Sequence, residues 1–278
     1  MTDFPHSSLL LVLGLLGFGC SAIVDASRPQ CSNDADCTKR GAAFADTMCV
    51  SNYCEAVDAW SCAKHVPVTA KSSTPVSVDF TLFDAVSQNA VVGLDAALCG
   101  KLDLECSSPM SKTQTDDQGT VHFNVAPAFD GYVQLNAEGY DPTMIFLPPS
   151  VESTSLGRFP LTTMVATSVL GSQLGKPLLP GTGRVLTTIA GCDMQTAGGV
   201  SLTGENMGAD AAGFYSIGGF PSFSAVSTDS SGFAGFVNVT PGSITLNAQL
   251  EGGEHVGRVA LFVRADYVSV RRIQPWTD

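Results

Sequence analysis

Two stretches of this chain repeat one another: TDDQGTVHFNV at residues 115–125 and TDSSGFAGFVNV at residues 228–239. Each opens on Thr-Asp-x-x-Gly and runs into a strand-like segment. In the first, Asp117-Gln118-Gly119 reads as a turn whose glycine supplies a left-handed backbone position. Each copy then carries a Val-x-Pro, at Val125 to Pro127 and Val239 to Pro241. Each closes on Leu-Asn-Ala, at Leu135, Asn136, Ala137 and at Leu246, Asn247, Ala248. A hairpin repeated in this way predicts two copies of one β-domain.

Outward from the first hairpin, Val76, Val78, Phe80 and Leu82 alternate with polar residues, the period of a half-buried strand. Leu94, Ala96 and Leu98 alternate up to Cys99, Val121, Phe123 and Val125 form the repeated strand, and Met144 to Leu147 reads as a last strand stopped by Pro148-Pro149. The second copy opens at Gly183 with Val185, Thr187 and Ile189, and closes with Val259, Leu261, Val263, Val268 and Val270. About seven short strands per copy predict a β-sandwich. Between the copies, residues 151–182 read as a linker with room for one short helix near Leu161 to Leu174.

Composition agrees. Charged residues make up 14% of 278, with 28 Gly and 15 Pro, which favours an all-β chain. The net charge of −12 argues against nucleic-acid binding, which needs a basic surface; Lys39-Arg40 and Arg271-Arg272 are the adjacent basic pairs. The apolar run Leu9 to Phe18 is too short for a membrane span, for which roughly 20 residues are needed, but fits a signal segment. Gly19-Cys20 after it resembles a lipoprotein signal with Cys20 as the lipid-bearing residue, although Gly17 stands where such signals usually carry Leu. Cleavage after Ala26, giving a soluble secreted chain, is the rival reading.

Without Cys20, eight cysteines remain, an even number that suggests disulfides in an oxidising compartment: Cys31, Cys37, Cys49, Cys54, Cys62, Cys99, Cys106 and Cys192. Cys99 and Cys106 bracket a short acidic loop and can close it; the remaining pairing stays open. Residues 21–73, holding the Cys-dense part, have few large apolar residues and must be stapled rather than packed. The expected organisation is a signal at 1–20, this stapled segment at 21–73, one sandwich at 74–150, the linker at 151–182 and a second sandwich at 183–278.

The run from Thr115 through Val125 and Pro127 to Ala137, Gly139, Tyr140 and Pro142 resembles the carboxypeptidase regulatory-like domain, a transthyretin-like (Ig-like) sandwich. In the second copy Gln249-Leu250-Glu251 replaces the Gly-Tyr part. As a whole the chain resembles exported Cys-rich lipoproteins of myxobacteria that carry this domain in tandem. The resemblance implies an accessory module without catalytic residues or cofactor, at the outer membrane or cell surface, with polysaccharide or envelope proteins as partners.

The residues themselves point the same way. There is no G-x-S-x-G elbow and no H-E-x-x-H helix. His122, on the repeated strand, is expected on the face opposite Val121 and Phe123. Asp103, Glu105, Asp116 and Asp117 read as a solvated loop edge, with a cation site as the sharper alternative; Asn33, Asp34 and Asp36 invite the same question. No metal site is expected. For ligand contact, Phe220 and Phe223, in what reads as a loop after Gly218-Gly219, are the candidates. A hydrolase site between the domains is the remaining alternative, and converging carboxylates would favour it.

Overall fold

The structure, a computed structural model, describes residues 29–41, 44, 47–50, 52–56, 59–60, 63, 74–148, 154–173 and 175–275. The signal segment, Cys20, the Ala26 alternative and Cys62 lie outside the described residues. The chain forms two compact units, within residues 1–56 and 57–278.

The first unit is small. Helix α1 (Asp34–Thr38) precedes a hairpin of β1 (Thr47–Val50) and β2 (Tyr53–Ala56). Disulfides Cys31–Cys49 and Cys37–Cys54 tie the helical part to the hairpin, as a segment with so little apolar surface requires. They bridge 18 and 17 residues, and each contributes on the order of 3 kcal/mol by restricting the unfolded chain. Gln30 Oε1 accepts the Cys54 N–H at 3.1 Å, and the Asp36 carboxylate accepts the Ser32 N–H, so this acidic group serves the local turn.

The second unit is all-β apart from one helix. Its first copy comprises β3 (Val76–Asp84), β4 (Asp95–Gly100), β5 (Ser111–Gln114), β6 (Thr120–Val125), β7 (Gly131–Leu135), β8 (Thr143–Phe146) and β9 (Thr154–Leu161). Helix α2 (Met164–Gln173) follows. The second copy comprises β10 (Gly183–Ile189), β11 (Val200–Glu205), β12 (Ala212–Ile217), β13 (Phe220–Ser222), β14 (Phe233–Val239), β15 (Gly242–Leu250), β16 (His255–Val263) and β17 (Val268–Ile273).

Apart from β13, which has no counterpart in the first copy, the copies correspond strand for strand. In the first, β3 pairs antiparallel with β6 and parallel with β9; in the second, β10 does the same with β14 and β17. The β4–β7–β8 meander matches β11–β15–β16. The repeated turn is the same down to single bonds. Thr115 Oγ1 accepts the Leu94 N–H and Thr228 Oγ1 the Val200 N–H, at 2.9 and 3.2 Å. The Gly119 and Gly232 carbonyls accept the N–H of Leu82 and Ile189. One difference is the strand after the meander's first: β5 stays on β4, whereas β12 crosses to β14.

Each copy is a sandwich, and the two share a sheet. Sheet β6-β3-β9 packs on one part of a nine-stranded sheet, β13-β12-β14-β10-β17-β8-β7-β4-β5, and β11-β15-β16 packs on another. The join is the parallel pairing of β17 with β8, from Val268↔Thr143 to Arg271↔Phe146. Alternation along the joined strands splits the core in two. Ile145, Leu147, Leu186, Val268 and Val270 face the first core, while Met144, Phe146, Val185, Ile189 and Ile273 face the second. The two small sheets therefore lie on opposite faces of the large one. Tyr132, Phe146 and Phe262 close the second core where the copies meet, with ring centroids 5.1–5.5 Å apart.

Two elements differ from the sequence reading. Strand β9 occupies the stretch read as linker. Its apolar residues, Leu156, Phe159 and Leu161, lose strict alternation at Gly157, which has φ +83° beside a shift in register against β3. The stretch at Phe220, read as a loop, opens as edge strand β13, because Gly218 and Gly219 (φ +59° and +87°) make a two-residue turn that pairs Ile217 with Phe220. The short helix expected after Leu161 is α2.

Candidate functional site

The face of the large sheet that β6-β3-β9 covers in the first copy continues past β9 over the second copy without a covering sheet. An outward sandwich face in water is normally polar. Here it presents Leu186, Phe214, Phe233 and Val237, and α2 runs along it, so that a groove of about 1160 Å³ lies between them.

Side chains of α2 form one wall, with Val165 and Val169 exposed at 74% and 49%. The turn after β3 adds Val86, and β13 adds Phe220, 75% exposed. Asn238, at φ +57°, pins the connection after α2 to β14: its Oδ1 accepts the Leu179 N–H and its Nδ2 donates to the Pro177 carbonyl.

One charged pair sits at the groove. Arg184 and Asp141 meet at 2.9 Å, with side chains 11% and 1% exposed. Asp141 also accepts the hydroxyls of Thr162 and Thr167 at 2.7 Å each, which fastens α2 to the first copy, and Arg184 donates to the Asp266 carbonyl. The carboxylate is thus fully paired, and its chemistry here is structural.

Of the two ligand-contact candidates, both line the groove, in different states. Phe223 packs edge-on against Phe214 at 5.9 Å, so its ring is committed to the sandwich edge. Phe220 stands free of such a contact and is the exposed ring. Sequence reasoning missed the rest of the surface. Leu186, Phe214, Phe233 and Val237 lie on strands, but nothing in the sequence pattern says that their face lacks a covering sheet.

The acidic candidates do not converge. Asp103 accepts the N–H groups of Ser107 and Ser108, which hold its carboxyl below the usual value, Ser108 foremost. Asp116 accepts those of Gln118 and Thr120, with the Thr120 bond the main cause of its lowering. Both serve turns. His122 is exposed, 3.7 Å from Asp116, while Val121 and Phe123 are buried, as alternation requires.

Among the cysteines, Cys99 is bonded to Cys106, closing the acidic loop. Cys192 is disulfide-bonded as well. The sulfurs of Cys31, Cys37 and Cys54 lie close together, but each belongs to a disulfide and offers no thiolate to a metal.

No protein-family model matches the chain, and no curated protein matches it. Among solved structures it is similar to the Bacillus anthracis TIE protein, with a TM-score of 0.27 and 12% identity over 72% of this chain and 34% of that one. It is also similar to a streptococcal ancillary pilin (0.25, 12%, 73% and 63%) and to the shaft pilin SpaA of Lactobacillus rhamnosus GG (0.24, 12%, 72% and 98%). The chain thus spans about a third of the first protein's length and under two thirds of the second's.

Proposed function

We propose that this is an exported, non-catalytic envelope protein, lipid-anchored at Cys20, that uses the groove beside α2 to bind an apolar segment of a partner. The observation that carries the reading is the groove's lining. Five phenylalanines, Phe83, Phe214, Phe220, Phe223 and Phe233, face it. Its polar groups are largely engaged already: Thr162 and Thr167 with Asp141, Gln88 with the Ala85 carbonyl, Ser231 with Asp229. A sugar site needs rings together with several placed polar groups, and few are left here. The resemblance to tandem accessory modules in exported lipoproteins supports a role in folding, spacing or binding. Among the described residues no helix is long and apolar enough to cross a membrane.

Polysaccharide binding is the second reading, favoured by the exposed Phe220 ring on edge strand β13. One experiment separates them. The chain from Ser21 onward is titrated with the apolar dye anilinonaphthalene sulfonate and passed over a panel of immobilised cell-wall and extracellular polysaccharides. The proposal expects saturable dye binding, weakened in Phe220→Ser and Val165→Ser variants whose circular dichroism is unchanged, and no retention on the polysaccharides. Retention lost in Phe220→Ala and Phe223→Ala would assign the groove to glycans instead. Anchoring is checked by incorporation of labelled palmitate in cells, which Cys20→Ala abolishes if the reading holds.

A further inference from the structure

A second cavity, of about 410 Å³, lies between β9, β10, β17 and the connection from β10 to β11. Its chemistry is the reverse of the groove's. Arg272 of β17 and Arg158 of β9 both line it, with Thr188 and Gln195 beside them.

Neither arginine has a carboxylate partner among the described residues. Arg272 is half-buried, its Nη1 donating to the Leu156 carbonyl at 3.3 Å and its Nη2 to the Met194 carbonyl. Its Nε is buried without an acceptor. Arg158 is exposed and lies over the Phe83 ring at 4.3 Å, a contact that orients the guanidinium but leaves its charge uncompensated. Carbonyl oxygens carry only partial charge, so the pocket keeps nearly two positive charges.

The chain has 26 acidic residues to 14 basic ones, and Lys101, Arg184, Arg258 and Arg264 each meet a carboxylate, whereas Arg158, Arg271 and Arg272 do not among the described residues. A partly desolvated cation is normally paired, because burying an isolated charge is costly. Arg271, next in sequence, projects to the other face of the sheet and donates to the Leu147 carbonyl, so the basic pair is split and Arg272 alone serves this cavity.

We infer that this cavity is a binding site for a small oxyanion, held end-on by the remaining Nη donors of Arg272 and capped by Arg158. Guanidinium groups match the geometry of carboxylate, phosphate and sulfate oxygens, and the cavity has room for a group the size of one sugar or amino acid that carries the anion.

The test is calorimetric titration of the folded chain with inorganic phosphate, sulfate and acetate in separate runs at low chloride. Saturable binding is expected for at least one, weakened by at least about tenfold in Arg158→Met and weakened further by added salt. The preferred anion identifies the source: acetate points to carboxylate-bearing ligands, phosphate or sulfate to esters. Arg272→Lys keeps the charge and loses the fork, and its affinity falls below wild type. Because Arg272 also ties β9 to the β10–β11 connection, the exposed Arg158 is the variant that tests the site without touching the fold. Absence of saturable heat with all three anions overturns the inference, as does binding left unchanged in Arg158→Met.

Discussion

The repeated turn states the fold's requirements residue by residue. At Gly119 and Gly232 the backbone is left-handed, φ +75° and +63°, and an added Cβ would lie 2.6 Å from the Leu82 carbonyl oxygen and 2.4 Å from that of Ile189. Gly119→Ala and Gly232→Ala are each expected to lose at least about 1–2 kcal/mol from the backbone alone, and more from the close approach. Urea denaturation of the two variants measures this; a neutral outcome at either site would mean that the copies are not built alike. The neighbouring carboxylates give the turn a pH dependence. Asp116 is held low chiefly by the Thr120 N–H, and Asp229 chiefly by the Ser231 hydroxyl. A carboxyl lowered on folding contributes stability above its unfolded value of 3.8 and loses it as pH falls through the folded value. The Asp116→Asn, Asp229→Asn double variant is therefore expected to be less stable than wild type at neutral pH. The difference should close well below pH 3.8, as read from denaturation midpoints.

Elements were legible where the pattern is regular and obscure where geometry breaks it. The apolar alternation of Val76 to Leu82 and of Val121 to Val125 marks β3 and β6 directly, because each has one buried face. Strand β9 escaped because its bulge at Gly157 shifts the buried residues out of step, and β13 because three residues are too few to show a period. The groove was out of reach for a different reason: whether a sheet covers the face beyond β9 depends on how the copies join, which no local pattern encodes. Helix α2 has only weak means of its own to hold its place there. Its tie is the Thr167 hydroxyl on Asp141, the carboxylate that also neutralises Arg184. Asp141→Ala strands a buried guanidinium and is expected to cost about 3–5 kcal/mol. Hydrogen exchange should show faster amide exchange in α2 than in β14 of the same variant. Equal protection of the two would place the helix's anchorage elsewhere.

At the scale of the molecule, the shared sheet makes the two sandwiches one folding body. Val268 and Val270 complete the first core and Ile273 the second, all from β17. Scanning calorimetry of residues 57–278 is expected to show one transition with equal calorimetric and van't Hoff enthalpies. Phe262→Ala, which opens the aromatic junction, is expected to lower its stability by about 3–5 kcal/mol without splitting the transition. Two resolved transitions would mean that the copies fold independently. The position of β17 in the chain has a consequence for biosynthesis. Polypeptides emerge N-terminus first, and here the strand that both cores need follows every other described strand. Until it arrives, neither core has its full lining, so both halves of a growing chain stay open together. A product cut short before Val268 leaves both halves unfinished and exposed to proteases, so one strand proofreads the two of them at once.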